Sequence, residues 1–228
     1  MKRCAVYAVS VALICAVTCS REHEGRKDMT SGQVTWNFDT IERIGENVVT
    51  VFGSPEVIVT PGGKAVEFDG EKDGLLVETY PLQGIGVFTL EVIFRPDADG
   101  LPEQRFFHLQ EDGSENRILI ETRLTEDNQW YLDTFMQSGE TGQTLIDEQF
   151  IHPVGAWYNA VLIFDGREMR HYVNSVRELS AQIASYNPLQ KGKTSIGVRI
   201  NRVCWFKGAI RTARFTPWVL TPEEFFLP

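Results

Sequence analysis

Short segments rich in Val, Ile, Phe, Tyr and Trp recur about every ten residues from residue 34 onward, separated by clusters of Gly, Asp, Asn and Pro. Within most segments apolar and polar residues alternate with the two-residue period of a strand, and no window holds a sustained helical stripe. The segments are VTWNF, NVVTVF, KAVEF, GLLVE, GVFTLEVIF, RFFHL, NRILIETRL, WYLDTFM, TLIDEQF, WYNAVLIF, MRHYVN, TSIGVRI and WFKGAIRTARF. This pattern predicts an all-β domain, a two-sheet antiparallel sandwich of the jelly-roll type. The absence of an internal sequence repeat argues against a propeller or solenoid.

Three positions have local chemistry that fixes a turn. Asp165-Gly166 lies between NAVLIF and MRHYVN and predicts a tight hairpin, because these residues readily take positive φ angles. Asn187-Pro188 predicts a break before TSIGVRI, since proline cannot donate to a strand ladder. Residues 221–224, Thr-Pro-Glu-Glu, predict one short C-terminal helical turn with an N-cap, a proline at the first position and a glutamate at the third.

The N-terminus has the pattern of an export signal. Lys2 and Arg3 precede an apolar run that ends in small residues and Cys19. The run is too short to cross a hydrocarbon core, which needs roughly 20 residues. Ala-Val-Thr-Cys at the end of the run resembles a bacterial lipoprotein box, with ordinary signal cleavage as the alternative. We therefore predict a signal peptide over residues 1–18, lipidation at Cys19, a flexible tether over 19–33 and the folded domain over 34–228.

Charge and cysteine content exclude several functional classes. The formal net charge is −9, and removal of a signal containing two basic residues makes the mature chain more acidic. An acidic surface repels phosphate backbones, so nucleic acid is not an expected partner. Cys204 is the one cysteine in the predicted folded domain and cannot form a disulfide within it. We expect an exported protein of a Gram-negative envelope, in the periplasm or at the outer membrane, that touches the membrane through its lipid alone.

Several segments together resemble the laminin-G-like, concanavalin-A-like family of lectins and glucanases. The block WYNAVLIFDGREMRHYVN carries an aromatic-led strand, an Asp-Gly turn and a Tyr-Val-Asn strand end, and KAVEFDGEKDGLLVE, FTLEVIFRP, WFKGAIRTARF and VLTPEEF agree with it. Phe94 replaces a common tryptophan, and Ser175 replaces the glycine that often follows Asn174. The resemblance spans roughly residues 34–228 and implies the sandwich fold, whereas the family's functions range from sugar binding and adhesion to glycoside hydrolysis.

Strand geometry places two acids opposite each other. If ILIETRL and WYLDTFM form a hairpin around 125–129, Arg123 lies opposite Tyr131 and Glu121 opposite Asp133. Two facing carboxylates repel and call for a cation, a ligand or open water. Three interpretations follow: a solvated sheet face, a ligand surface, or a catalytic acid pair. The residues of this face are Glu121, Arg123, Tyr131, Asp133 and Phe135, with the two aromatic side chains as candidate sugar platforms. The opposite face of the hairpin should be core: Ile118, Ile120, Leu124, Trp130, Leu132 and Met136.

The family resemblance also raises a calcium site, since some laminin-G-like domains hold calcium at the rim of the sandwich. The candidate ligands are Asp69 and Asp73 in DGEKDG, and the acids of EDGSE, residues 111–115; plain acidic surface turns are the alternative. His171 should lie on the apolar face of its hairpin, which favours a buried core histidine over a catalytic or metal-binding role. Trp36, Phe38, Phe88, Phe94, Trp157 and Phe206 are predicted core aromatics, and Cys204 is predicted to be a small buried residue.

Sequence motifs favour a binding protein over an enzyme. The paired-acid strand of β-glucanases and the Gly-x-Ser-x-Gly and His-Glu-x-x-His motifs are missing from the chain. The first hypothesis is a non-catalytic lipoprotein that binds a glycan or a protein of the envelope. The alternatives are a glycan hydrolase that uses Glu121 and Asp133, and a structural or adhesive envelope subunit. The sequence leaves the oligomeric state open.

Overall fold

Antiparallel strands make up most of the secondary structure in a computed structural model that describes Met1 and residues 32–228. The predicted signal peptide, Cys19 and most of the predicted tether lie outside the described residues. The strands are β1 Val34–Asn37, β2 Arg43–Ile44, β3 Asn47–Phe52, β4 Glu56–Thr60, β5 Gly63–Asp69, β6 Gly74–Val77, β7 Phe88–Pro96, β8 Glu103–Glu111, β9 Arg117–Leu124, β10 Gln129–Ser138, β11 Thr141–Ile146, β12 His152–Pro153, β13 Tyr158–Phe164, β14 Glu168–Val173, β15 Val176–Gln182, β16 Gly192–Ile196 and β17 Lys207–Thr216.

The strands form two sheets that pack face to face, as predicted. The eight-stranded sheet, here called sheet I, has the order β15-β14-β13-β7-β17-β5-β4, and β1 pairs with β17. The nine-stranded sheet, here called sheet II, has the order β11-β10-β9-β8-β16-β6-β3-β2, and β12 pairs with β10. Several hydrogen-bonded neighbours, such as β7 and β17 or β8 and β16, are far apart in sequence, which is the crossover topology of a jelly roll rather than a simple meander. The predicted all-β sandwich is confirmed.

Two predicted hairpins are confirmed in their register. In the β9–β10 hairpin, Glu121 lies opposite Asp133 and Arg123 opposite Tyr131. In the β13–β14 hairpin, Leu162 lies opposite His171. Gly166 in the second turn has φ +96°, a conformation that suits glycine.

The core lies between the sheets and is rich in aromatic side chains. Five of the six predicted core aromatics are buried: Trp36, Phe38, Phe88, Phe94 and Phe206. The prediction for Trp157 is wrong. This side chain is partly exposed, and the guanidinium carbons of Arg95 and Arg211 lie 5.8 Å and 5.0 Å from its ring centroid. Trp157 directly precedes β13, where the strand alternation that the prediction used does not yet apply.

Other differences concern strand ends and polar strands. β15, an edge strand of mostly polar residues, has no apolar run and was not predicted, and β4 was not distinguished from its flanking turns. β16 ends earlier than predicted because Gly197 has φ +76° and a Cβ there would lie 2.4 Å from the Phe68 ring. The predicted C-terminal turn is confirmed as a 3₁₀ helix over Pro222–Glu224.

In the described part of the chain, no helix has the length and apolar character to span a bilayer.

Candidate functional site

The outward face of strands β8, β9 and β10 is polar, whereas the inward face contributes to the core. All six hairpin residues predicted to face inward lie in the core or pack against it. Because side chains alternate, Glu121 and Arg123 on β9 and Asp133 and Phe135 on β10 share the outward face. The sequence prediction therefore assigned these side chains to the correct face.

Two further elements bring arginines to this face. Arg105 on β8 pairs in register with Glu121, next to a bulge that displaces the register between Arg105 and Phe107. The loop between β16 and β17 crosses the same face, and its backbone is held there because the Arg105 amide donates to the Cys204 carbonyl at 2.9 Å. Arg199 belongs to this loop. The site is thus assembled from segments that are far apart in sequence.

These elements enclose a pocket of about 210 Å³, here called the arginine pocket. Its wall contains four arginines, two acids, an aromatic ring and two smaller side chains. The lining residues are Arg105, Arg117, Leu119, Glu121, Arg123, Asp133, Phe135, Thr144 and Arg199. A pocket of this size holds a sugar-sized group, and it offers charged groups and a ring to that group.

Arg123 holds Asp133 in place. The Nε and Nη2 groups of Arg123 donate to Oδ2 of Asp133 at 2.8 Å and 2.6 Å, and Nη1 donates to Glu103 Oε2 at 2.6 Å. Oδ1 of Asp133 is buried and has no hydrogen-bond partner among the described residues. Burial raises the pKa of Asp133, although its hydrogen bonds and ion pair with Arg123 act in the opposite direction. One carboxylate oxygen therefore positions the side chain, and the other is free to accept a hydrogen bond.

Glu121 also has one carboxylate oxygen, Oε1, without a hydrogen bond to any described residue. Its Oε1 lies 2.8 Å from Nε of Arg105, but neither atom has a hydrogen bond within the described chain, because the N–H does not point at the oxygen. Nη2 of Arg123 lies 3.6 Å from its Oε2. Burial raises the pKa of Glu121 to about 7; Arg105 opposes this shift, and Asp133 adds to it. Glu121 therefore changes its charge near neutral pH.

The interpretation of this face as fully solvated is wrong for the two acids. Glu121 and Asp133 are each only 2% exposed, because arginines from the neighbouring strands cover them. Tyr131 lies on the same face and is partly exposed, but it does not line the pocket. The prediction that these residues bind a ligand stays a prediction.

Sequence reasoning missed Arg105, Arg117 and Arg199. Arg117 could have been found from alternation along β9, since it lies an even number of residues from Glu121, whereas Arg105 lies beside a bulge in β8 at which alternation loses the register. Arg199 is contributed by a loop that follows β16 and carries no local sequence signal. Cys204, in the same loop, is partly exposed rather than buried, which corrects the prediction for that residue.

The acidic loops proposed for calcium use their carboxylates to organise the chain itself. Oδ1 of Asp69 accepts hydrogen bonds from the amides of Glu71, Lys72 and Asp73 at 2.9–3.0 Å. Oδ1 of Asp73 accepts one from the Ser54 amide at 2.7 Å. Partial burial acts to raise the pKa of Asp69, but the amide donors outweigh it and lower that pKa.

The EDGSE loop contains Glu111, Asp112 and Glu115. Two of these acids also bind other groups of the chain itself. Glu111 accepts hydrogen bonds from the Gln190 amide and the Asn116 side chain, whereas Glu115 contacts Arg117. Across Met1 and residues 32–228, no group of three or more His, Cys, Asp or Glu side chains is arranged to hold a metal. The calcium site stays a prediction.

His171 is buried between the sheets, where its alternation placed it. Its Nδ1 lies 3.0 Å from the Thr134 hydroxyl, and its Nε2 lies 3.7 Å from Oε2 of Glu178. Burial lowers the pKa of His171 to about 4, so the ring is neutral at physiological pH. Thr134, on the inward face of β10, is also fully buried. This cluster joins the two sheets and does not open into the arginine pocket.

Solved structures with the same architecture include a domain of an extracellular arabinanase and the binding domains of two other proteins. Domain 4 of an extracellular arabinanase from Geobacillus stearothermophilus, solved in complex with arabinotriose, is similar with a TM-score of 0.64 at 16% identity, covering 83% of this chain and 94% of that domain. The binding domain of Paraclostridial Mosquitocidal Protein 1 gives a TM-score of 0.64 at 12% identity over 86% of this chain and 51% of that one. The binding domain of botulinum neurotoxin DC in complex with rat synaptotagmin II gives 0.61 at 10% identity over 86% and 50%.

At these identities the structural similarities establish the fold alone. No curated protein sequence matches the chain significantly. A family model, however, matches residues 69–225, which include the strands of the arginine pocket and the closing strand of sheet I. That model describes the concanavalin A-like lectin/glucanases superfamily. Because the match covers well over half of the sequence, the chain belongs to the concanavalin A-like lectin/glucanases superfamily.

Proposed function

We propose that the domain is a non-catalytic glycan-binding module and that the arginine pocket is its binding site. The observation that carries the proposal is the pair of buried carboxylates, Glu121 and Asp133, each with one oxygen that has no hydrogen-bond partner among the described residues. A buried acceptor without a partner costs free energy, which a ligand hydroxyl can recover by donating to it. Sugars present several hydroxyl groups at close spacing and match two neighbouring acceptors.

The rest of the pocket suits the same class of ligand. Phe135 is partly exposed at the pocket wall and can cover an apolar sugar face. Arg123 is fixed by Asp133 and Glu103, so the polar groups are oriented before a ligand arrives. Among the structural neighbours, the arabinanase domain was solved with arabinotriose, which supports a glycan ligand; the neurotoxin domain solved with synaptotagmin supports a protein partner as the alternative.

Glycan-array binding of the purified domain tests the proposal. We expect Asp133→Asn and Phe135→Ala to weaken binding about tenfold or more, because each removes a ligand contact worth at least about 1.4 kcal/mol. The matched control is Gln137→Ala, which lies on the same strand and the same face but outside the pocket. Gln137→Ala should bind as the unchanged protein does. Binding is compared well below the melting temperature of each variant, because Asp133→Asn weakens the ion pair with Arg123.

Three other outcomes would contradict this proposal in distinguishable ways. Equal loss in the Gln137→Ala control would show that the pocket is not the site. Release of reducing sugar by the unchanged protein, abolished by Glu121→Gln, would establish the hydrolase; the observation that favours it is the pKa of Glu121 near 7, which suits a general acid. Coprecipitation of one envelope protein without any glycan binding would establish the structural or adhesive subunit.

We further propose that the protein is exported and lipidated at Cys19 in a Gram-negative envelope, in the periplasm or at the outer membrane. The support is the sequence alone: a basic start, a short apolar run and a cysteine followed by a polar segment. A single lipid chain anchors weakly, whereas the several chains of a bacterial lipoprotein anchor stably. The anchor leaves the folded domain at the surface of the membrane.

Metabolic labelling with a palmitate analogue tests lipidation. We expect the unchanged protein to carry the label and to fractionate with membranes, and Cys19→Ala to lose the label completely. Cys15→Ala is the control, because Cys15 lies inside the predicted signal and should leave with it. A mature N-terminus other than residue 19, or a label retained in Cys19→Ala, would contradict the lipoprotein proposal.

A further inference from the structure

Two arginines of the pocket have cationic groups that the protein itself leaves unsatisfied. Nε of Arg117 is buried and has no hydrogen-bond partner among the described residues. Its Nη1 donates to the Glu115 carbonyl at 2.7 Å and to the Glu115 carboxylate at 3.1 Å, but the Glu115 side chain is 80% exposed, so the charge of Arg117 is only weakly paired. Arg199 forms no ion pair with any residue of the described part of the chain and lines the same pocket.

Arg117 and Arg199 also repel each other. The pKa of Arg117 is lowered, first by burial and next by the charge of Arg199. Two guanidinium groups held close together without a shared anion raise the energy of the empty pocket. Arg117 is kept in position because its guanidinium carbon lies 4.9 Å from the centroid of the Phe135 ring.

The charge of the pocket is opposite to that of the whole protein. Four arginines line its wall against two acids, and Glu103 is the further acid that pairs with Arg105 and Arg123. The formal net charge of the chain is −9. An acidic protein that concentrates arginines in one small pocket provides a local site for an anion, since guanidinium groups bind carboxylates and sulfates through paired N–H donors.

We propose that the arginine pocket is specific for an acidic sugar and that Arg117 and Arg199 bind its carboxylate or sulfate group. This inference rests on the proposed glycan-binding function and names the ligand class. Glu121 and Asp133 accept hydrogen bonds from the sugar hydroxyls, while the two arginines bind the oxyanion. The same chemistry would recognise a uronic acid or a sulfated sugar.

A paired oligosaccharide array tests the inference and separates it from the proposed function. Each uronate oligosaccharide is printed beside its carboxyl-reduced form, and each sulfated oligosaccharide beside its desulfated form. We expect binding to the acidic member of a pair and at least about tenfold weaker binding to its neutral partner. Whether the uronate or the sulfated pairs respond identifies the source of the anion.

Arginine variants locate the anion. Arg117→Gln and Arg199→Gln should each weaken binding of the acidic member about tenfold or more. Arg177→Gln removes the same charge from an exposed position on β15 and should leave binding unchanged. Equal binding to both members of every pair would overturn the acidic-sugar inference and leave glycan binding intact. No binding to any oligosaccharide would overturn the proposed function itself.

The pH dependence of binding gives a second readout that does not require an arginine variant to fold. The charged and titratable groups around Glu121 are Glu103, Arg105 and His108 on β8, Arg117 and Arg123 on β9, Asp133 on β10, and Arg199 and Cys204 in the loop after β16. Burial and the neighbouring arginines lower the pKa of His108 to about 3, so its ring stays neutral between pH 6 and pH 8. The arginines stay charged, burial raises the pKa of Cys204, and protonation of Asp133 would act in the same direction as that of Glu121.

Uronates and sulfates are ionised at both pH 6 and pH 8, so their own charge does not change over this interval. A protonated Glu121 no longer repels them, and its carbonyl oxygen can still accept a hydrogen bond from a sugar hydroxyl, so the affinity of the unchanged protein should rise as the pH falls through about 7. Glu121→Gln should remove most of this rise. An affinity for the acidic member that is constant or falls from pH 8 to pH 6 would contradict the inference.

Discussion

Glu91→Ala is expected to lower the free energy of unfolding by about 3–5 kcal/mol, because it leaves the nearly buried Arg214 without its carboxylate and removes the acceptor of two further hydrogen bonds. Glu91, on β7, is fully buried on the outer side of sheet I. Its Oε2 pairs with Arg214, whose side chain is only 12% exposed. Its Oε1 accepts hydrogen bonds from the Phe226 amide at 2.8 Å and from the Asn159 side chain at 3.1 Å.

The same group of contacts fixes the C-terminal segment over sheet I. Arg214 donates to the Glu224 carbonyl at 2.7 Å and lies 3.9 Å from the centroid of the Phe226 ring. Leu220 and Phe225 pack on the outward side chains of β13 and β14. Glu91 therefore joins the closing strand, the central strand and the C-terminus, and its loss should release all three.

Urea unfolding of Glu91→Ala beside Glu78→Ala measures this effect. Glu78 pairs with Lys193 at 2.8 Å, but the two side chains are 60% and 36% exposed, so the control should change stability by about 1 kcal/mol or less. The difference in unfolding midpoints at a constant denaturant slope gives the comparison. A loss in Glu91→Ala as small as in the control would contradict the role assigned to the buried carboxylate.

Phe94→Ala is expected to lower the free energy of unfolding by about 3–5 kcal/mol, since it removes a large ring from the centre of the core. Phe94 is fully buried and stacks on Phe106 with a centroid distance of 4.2 Å. It also meets Trp130 edge-on at 5.1 Å. Phe94 belongs to sheet I, whereas Phe106 and Trp130 belong to sheet II, so the ring holds the two sheets together.

Phe52→Ala is the matched control for this prediction. It removes the same side chain from a partly exposed position, where Arg202 lies 5.0 Å from the ring centroid. Its effect should be a small fraction of the effect of Phe94→Ala. Equal losses in thermal or urea unfolding would contradict the packing described for Phe94.

The fold could be predicted because alternation and turn chemistry are local properties of the sequence. The β9–β10 register followed from one polar turn and the alternation on either side of it, and it placed Glu121 opposite Asp133 as observed. Asp165-Gly166 identified the second hairpin for the same reason. β15 escaped prediction because an exposed polar edge strand has no hydrophobic pattern.

The arginine pocket could be predicted only in part because its lining comes from distant segments. The pair of acids lies within one hairpin, so the sequence identified it. Arg105 comes from a strand with a bulge, where simple alternation loses the register. Arg199 lies in the loop between β16 and β17, 78 residues after Glu121 (199 − 121). These arginines help to bury Glu121 and Asp133. Because the sequence did not reveal the arginines, it predicted that the two acids face solvent.

Chemical-shift mapping of the domain with the oligosaccharide that binds most tightly on the array tests the central claim most directly. We predict that the shifted backbone and arginine side-chain signals cluster on the outward face of β8, β9 and β10 and in the loop after β16, around Arg117, Asp133 and Arg199. Shifts confined to the acidic turns near Asp69 or to the outer side of sheet I would contradict the assignment of the binding site to the arginine pocket.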